Sequence, residues 1–317
     1  MSTSLSHAQQ QIVSFAIDQA HILVEAAPGS GKTRVISERI AFLLEQRLAH
    51  PEQIVAMTFT EEAARHLLAR LEGRLGVAMQ GIKVGTIHNI CNRLLSEHAK
   101  AIGLKPSFKI FDAKRQEETL YTASLNIGRP LDKAALFEQR ELISKRKRNA
   151  LIEAIKAGRS ELGSSNEALD RAYHELLRAS NALDFDDLLI YACQLLRNDR
   201  QIRFVFVDEF HDLSPDQMAF LQLLAPCAAN ERAPFARQVM VVADPNQAIY
   251  GWRDAYAAEL LRLYHRYYRP TLFQLGENYR STATIVAAAS KLINAGGAAS
   301  AMRAIQNGTP QAIRLLS

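Results

Sequence analysis

Cysteine is scarce in these 317 residues. Cys91, Cys193 and Cys227 stand far apart with no CxxC pair, so the chain alone cannot build a zinc ribbon or an iron–sulfur cluster. They read as reduced, partly buried thiols, and a chain this long can bury a core without disulfide or metal staples. It holds no run of about 18 apolar residues, the length a membrane-spanning helix needs. The polar opening MSTSLSHAQQQ lacks the apolar stretch of a secretory signal. Repeats and low-complexity blocks are also missing. A soluble, cytoplasmic protein with no membrane partner is expected. Charge imbalance is slight: 38 Lys+Arg against 33 Asp+Glu leave +5, which permits a nucleic-acid partner without demanding one. What remains is ordinary globular composition, 48% apolar and 22% charged, in a length suited to roughly two domains.

Patterning divides the chain. The apolar run Ile22 to Ala27 ends in Pro28-Gly29-Ser30-Gly31-Lys32-Thr33, and Val35, Ile36, Ile40, Phe42, Leu43 and Leu44 follow at mostly helical spacing. That is strand, glycine-containing loop, helix. Further strands are expected at Ile54 to Thr58 and Ile82 to Thr86, with a helix from Glu61 to Arg74 between them. From His88 to Arg200 helical spacing takes over and strand signals vanish. The basic run Lys145-Arg146-Lys147-Arg148 in this stretch reads either as a solvated helix face or as a contact to duplex DNA. Strands resume at Phe204 to Val207, Val239 to Val242 and Thr271 to Leu275, followed by a helix from Thr282 to Ala295 and a strand at Ile313 to Leu316. Strands alternating with helices argue for a parallel α/β sheet, here with a mostly helical insertion.

The loop carries the chemistry. Successive backbone N–H groups must face phosphate oxygens, so Gly29 and Gly31 let the backbone turn sharply and approach closely. Lys32 supplies a point charge for the terminal phosphates, the Thr33 hydroxyl is a Mg²⁺ ligand, and the helix beneath adds the positive end of its dipole. Ala26 stands where such loops usually begin with glycine. Val207 is followed by Asp208 and Glu209, two carboxylates at the carboxyl end of a strand, where ligands bind in sheets of this kind. Asp208 would hold Mg²⁺ through water and Glu209 would polarise an attacking water as general base.

Taken together, these segments resemble the UvrD/Rep-like superfamily 1 DNA helicases. Leu5 to Gln9 looks like the family's opening motif, whose glutamine reads the adenine edge. Ala26-Ala27-Pro28-Gly29-Ser30-Gly31-Lys32-Thr33-Arg34 matches motif I, and Ala56 to Ala64 and Val84 to Leu95 are similar to motifs Ia and Ib. Asn181 to Leu189 resembles the segment that returns the chain from the insertion. Asp208 to Asp212 is similar to motif II, with Gln217 at its usual downstream place; Ala243 to Ala255 resembles motif III and Asn278 to Ser281 motif IV. The resemblance implies a RecA-like P-loop motor domain made of residues 1–88 and 200–276. It further implies a helical subdomain at 89–199 and, at 277–317, the truncated beginning of a second motor domain. It also implies that Gln247 senses the γ-phosphate, that Arg253 and Arg280 carry charge toward the nucleotide, and that Tyr279 packs on adenine. Phe59, Thr86, His88, Tyr250 and Trp252 are then DNA contacts, the two motif III aromatics as stacking faces.

Several positions depart from the family. His211 replaces the usual Gln of motif II, and Glu61-Glu62 replaces Asn-Lys of motif Ia, where like charge would repel a phosphate backbone. Ala243 and Ala248 replace Gly and Ser. Motifs V and VI are not among these residues. Two functions follow. One is the ATP-binding portion of an ATP-dependent 3′→5′ DNA helicase or single-strand translocase, with a place in DNA repair or recombination. The other is a nucleotide- and DNA-binding module without independent unwinding or robust ATPase activity. Both take ATP with Mg²⁺ and bind single-stranded DNA or a single/double-strand junction, with motifs V and VI supplied by a C-terminal half or partner chain. A P-loop kinase would have no place for Gln9 or the motif III series.

Overall fold

Aliphatic and aromatic residues run without alternation through Ile22-Leu23-Val24, Phe204 to Val207 and Val239 to Val242, the pattern of strands covered on both faces. The computed structural model describes residues 4–17, 20–156, 167–196, 201–226, 237–247, 254–295 and 302–306. Tyr250, Trp252, Arg253 and the strand expected at Ile313 to Leu316 lie outside the described residues.

The chain begins with α1 (His7–Val13), β1 (Ile22–Ala26), α2 (Lys32–Glu45), β2 (Ile54–Thr58), α3 (Glu61–Leu75) and β3 (Lys83–Thr86). It continues through α4 (Ile87–His98), β4 (Lys109–Ile110), α5 (Ala113–Asn126), α6 (Lys133–Lys156), α7 (Ala168–Ala179), β5 (Ala182–Leu183) and α8 (Phe185–Leu196). Then come β6 (Phe204–Val207), α9 (Pro215–Leu224), β7 (Gln238–Ala243), α10 (Asp254–Tyr268), β8 (Thr271–Leu275), β9 (Glu277–Thr282), α11 (Ala283–Ala295) and β10 (Arg303–Gln306). Two compact units result, one of residues 1–86, 200–213 and 227–317, the other of 87–199 and 214–226.

The first unit is built on a six-stranded sheet in the order β3-β2-β6-β7-β1-β8, every pair parallel. Parallel pairing puts the carboxyl ends of all six strands on one edge. The core gathers Ile22, Val24, Val35, Ile36, Ile40, Ile54, Ala56, Phe204, Phe206, Met240 and Val242. One fully buried cation interrupts it. The guanidinium of Arg39 on α2 donates to the carbonyls of Ile12, Val13 and Phe15 at 3.0, 3.0 and 2.9 Å and to Gln238 Oε1 at 2.6 Å. Three of these acceptors are backbone carbonyls at and just beyond the end of α1, which have no partner within that helix. The helix expected directly after Thr271 to Leu275 is preceded by an extra strand: β9 pairs with β10 in a small parallel sheet, Glu277 opposite Arg303 and Asn278 opposite Ala304. The polar sequence of β9, ENYRST, carries no apolar alternation that would have announced it.

The second unit is mostly helical, as its spacing predicts, around Leu120, Ala123, Ile143, Tyr173, Leu177 and Ala182. It does contain one strand pair, Lys109–Ile110 beside Ala182–Leu183, too short to leave a period in the sequence. Helix α9 starts with a capping box between Ser214 and Gln217 and packs against α6 and α8. The basic run on α6 is a solvated face only in part. Lys147 is buried, its ammonium 2.5 Å from Asp184 and 2.7 Å from Asp187. Arg146 donates to both oxygens of Asp170 at 2.8 Å, and Arg148 lies 3.6 Å from Asp186. Lys145 alone of the four is exposed.

Candidate nucleotide site

The glycine loop leaves β1 at Ala26 and enters α2 at Lys32. Gly29 and Gly31 have φ of +70° and +88°, conformations that L side chains rarely adopt. Neither has room for a side chain. A Cβ on Gly29 would stand 2.8 Å from Arg280 Cβ and 2.9 Å from Asn278 Oδ1, and one on Gly31 would stand 3.0 Å from Gln9 Nε2. The loop is therefore held from two sides. On one, Gln9 Nε2 donates to the Ser30 carbonyl at 3.0 Å, while Gln9 Oε1 accepts from the Ser6 N–H at 3.1 Å in the capping box of α1. On the other, Asn278 Nδ2 donates to the Pro28 carbonyl at 2.7 Å and the Tyr279 N–H donates to the Gly29 carbonyl at 2.9 Å. Asn278 Oδ1 accepts from the N–H groups of Arg280 and Ser281, which folds the strand start around the loop.

Because β6, β7 and β1 are adjacent and parallel, Asp208, Asp244 and the loop reach the same sheet edge. The Thr33 hydroxyl donates to Asp208 Oδ2 at 2.7 Å. Burial, and after it the neighbouring Glu209 carboxylate, push the Asp208 pKa up to about 6. Lys32 Nζ lies 3.2 Å from Glu209 Oε2 and 3.8 Å from Asp244 Oδ2. Among the described residues neither Lys32 Nζ nor Glu209 Oε2 makes an aligned hydrogen bond, although both atoms are buried. A buried ammonium with donors to spare, above a cradle of backbone that admits no Cβ, fits an anion with several oxygens. Two hard oxygen ligands, from Thr33 and Asp208, fit Mg²⁺, which takes few protein ligands and shares the rest of its shell with phosphates and water.

The structure brings Gln9, the loop from Ala26 to Arg34, Asp208, Glu209, Gln247, Tyr279 and Arg280 into the same unit around that edge. Gln247 Nε2 donates to Asp244 Oδ2 at 2.7 Å. Tyr279 bonds Glu277 through its hydroxyl, and Arg280 is exposed. Phe59 and Thr86 follow or end β2 and β3, separated from β1 in the sheet by β6 and β7. Phe59 is half-buried; Thr86 is buried, and its hydroxyl donates to Glu61 Oε1 at 3.0 Å. The acids of the Glu61-Glu62 pair sit in the first turn of α3, where the helix dipole favours them. His88 belongs to the other unit, edge-on to Phe185 at 5.8 Å, its pKa lowered by burial. Asp244 and Asn278 lie in the segments likened to motifs III and IV, where the resemblance assigns them no role of their own. Their signals are there in hindsight: an acid closing a buried strand, and the first residue of the Asn-Tyr-Arg-Ser segment.

A parallel sheet with a two-glycine loop closing its β1 strand over a buried lysine defines a P-loop α/β domain of the RecA-like kind. Residues 5–268 match the model of the UvrD/REP helicase N-terminal domain, and the chain belongs to that family. It is 32% identical over 296 residues to the ATP-dependent DNA helicase PcrA of Staphylococcus epidermidis, covering 86% of this chain and 38% of that protein. With the ATP-dependent DNA helicase PcrA of Staphylococcus aureus the identity is 30% over 307 residues, 92% of this chain and 40% of that one. The chain thus spans about two fifths of the length of these curated relatives. Among the described residues no helix is long and apolar enough to cross a membrane.

Proposed function

We propose that this chain is the ATP-binding portion of an ATP-dependent 3′→5′ DNA helicase or single-strand DNA translocase, acting in DNA repair or recombination. The observation that carries the nucleotide part is the buried Lys32 ammonium, without an aligned hydrogen bond, above the Gly29–Gly31 cradle. In this reading residues 1–88 and 200–276 form the motor domain, 89–199 the inserted subdomain, and 277–317 open a second motor domain. Lys32 holds the terminal phosphates; Thr33 and Asp208 hold Mg²⁺, which when bound neutralises charge developing on the phosphoryl oxygens. Glu209 orients and deprotonates the attacking water, Gln247 senses the γ-phosphate, and Arg253 and Arg280 carry charge toward the nucleotide. Gln9 and Tyr279 form the base end, and Arg34 lies near the nucleotide. Asn278 acts as a brace: it keeps the loop backbone in its phosphate-facing shape.

DNA is the second partner, single-stranded or at a junction with duplex. Tyr250 and Trp252 offer stacking faces, and Phe59, Thr86 and His88 supply further contacts. The support is family membership and the names of the two relatives, both ATP-dependent DNA helicases.

Calorimetry with Mg²⁺ and ATP tests the site. Lys32→Ala should abolish or severely weaken binding, because the charge facing the phosphate oxygens is lost. Glu209→Gln should keep the affinity within a few fold while removing hydrolysis, since it deletes the base and preserves the shape. Equal loss of affinity in both variants overturns the assignment of roles.

A further inference from the structure

His211 stands in the turn after β6 and is almost fully buried. Its ring has two fixed neighbours. The backbone N–H of Asp244 donates to Nδ1 at 3.1 Å, and Nε2 lies 3.6 Å from Glu209 Oε2. A nitrogen that accepts a hydrogen bond carries no proton, so the neutral ring must carry its proton on Nε2, the atom facing the carboxylate. Backbone geometry on β7 thereby selects the tautomer of a side chain that follows β6. Glu209 itself has φ +49° and ψ +48°, a left-handed conformation that is unfavourable for a non-glycine residue. That turn sets its carboxylate between two donors, the Lys32 ammonium at 3.2 Å and the His211 Nε2–H at 3.6 Å, and bonds it well to neither.

We propose that His211 is a positioning residue for Glu209: when phosphates engage Lys32, the carboxylate passes from the ammonium to the His211 Nε2–H, which fixes it for its work on water. The inference rests on the nucleotide reading of the site. Phosphate oxygens compete directly for the Lys32 ammonium, and a carboxylate released by it needs to move by under about 1 Å to come within hydrogen-bond range of Nε2. No proton changes owner in this exchange; Nε2–H donates and the carboxylate accepts. A short rigid ring held by the Asp244 backbone offers one donor in one direction, whereas a Gln at this position would offer a rotatable amide.

The test is ¹⁵N-histidine NMR on the full 317-residue chain, run beside calorimetry on the same samples. The His211→Gln variant identifies the His211 signals by their loss. The expected tautomer has unprotonated Nδ1 and protonated Nε2. Adding Mg²⁺ with a non-hydrolysable ATP analogue should move the Nε2–H proton downfield and slow its exchange with water. In Glu209→Ala the analogue should still bind, yet this response should disappear. A protonated Nδ1, or an Nε2–H signal unmoved while calorimetry shows the analogue bound, overturns the proposal and leaves the nucleotide site standing. Absence of any binding heat defeats the nucleotide reading, and the His211 proposal falls with it.

Discussion

Asp208 and Arg39 are buried charges of the first unit, 2% and 0% exposed. Asp208 has its pKa raised to about 6, against about 4 for an unfolded carboxylate. An acid whose native pKa is raised binds its proton more tightly when folded, so stability falls as pH climbs from about 4 to about 6 and stays lowered above that. Asp208→Asn should accordingly melt at a higher temperature than the wild type near pH 7, with chelator present, and the advantage should fade as pH approaches about 4. Thermal scans across that range check it; identical melting near pH 7 contradicts the burial argument. At Arg39 burial likewise disfavours the charge, but hydrogen bonds to the backbone offset it. Burial pulls its pKa down to about 10, so it remains charged at neutral pH, and its partners are neutral carbonyls and Gln238. Removing it takes a buried donor away from the carbonyls of Ile12, Val13 and Phe15. Arg39→Leu should cost about 3 kcal/mol or more in urea unfolding, and by loosening α1 it should also weaken nucleotide binding through Gln9.

At the scale of elements, the α6 run shows how four basic neighbours divide by helix face. Lys145 points to water, whereas Lys147 is enclosed with Asp184 and Asp187, of which Asp187 has its pKa pushed up to about 7 by burial and then by Asp184. Acids at 184, 186 and 187 cap and open α8, so the run ties α6 to the start of α8. Lys147→Met should destabilise the second unit by about 3–5 kcal/mol, because two buried carboxylates lose their cation. Lys145→Glu should leave stability within about 0.5 kcal/mol of the wild type. Urea unfolding followed by circular dichroism separates the two, and equal effects would mean that the network is not what holds these helices together.

For the molecule as a whole, two units and a proposed nucleotide site in one of them predict an uneven response. At about 100-fold excess over Kd, bound nucleotide stabilises the native state by roughly 2.7 kcal/mol. Hydrogen exchange should slow at 26–34, 208–211 and 278–281, and change little through α5 and α6. Uniform slowing over both units would contradict a site built from the first alone. A net charge of +5 on 317 residues predicts weak, salt-sensitive binding to single strands without sequence preference. Trp252→Ala should cost about 1–3 kcal/mol without altering the salt slope, since stacking is not ionic. Anisotropy titrations at several salt concentrations measure both quantities.

Local chemistry determined a good part of this protein from its sequence alone. The continuous apolar runs of β1, β6 and β7, bounded by turn residues, read as strands, and Gly29 and Gly31 marked a tight loop entering a helix at Lys32, because backbone freedom is a local property. Helices α2 and α3 followed from spacing for the same reason. Tertiary structure decided the rest. Whether a basic run meets water, DNA or buried acids depends on what packs across from it, and Lys147 met Asp184 and Asp187 from 37 and 40 residues away. Strand β9 owes its existence to β10 and to the loop its Asn278 braces, and no periodicity in ENYRST records either partner. Which proton His211 carries was settled by a backbone N–H from Asp244, a neighbour 33 residues on that only parallel pairing of β6 with β7 brings close. Spacing along a chain encodes a residue's own conformation, whereas charge state, burial and partnership are set by atoms that arrive from elsewhere.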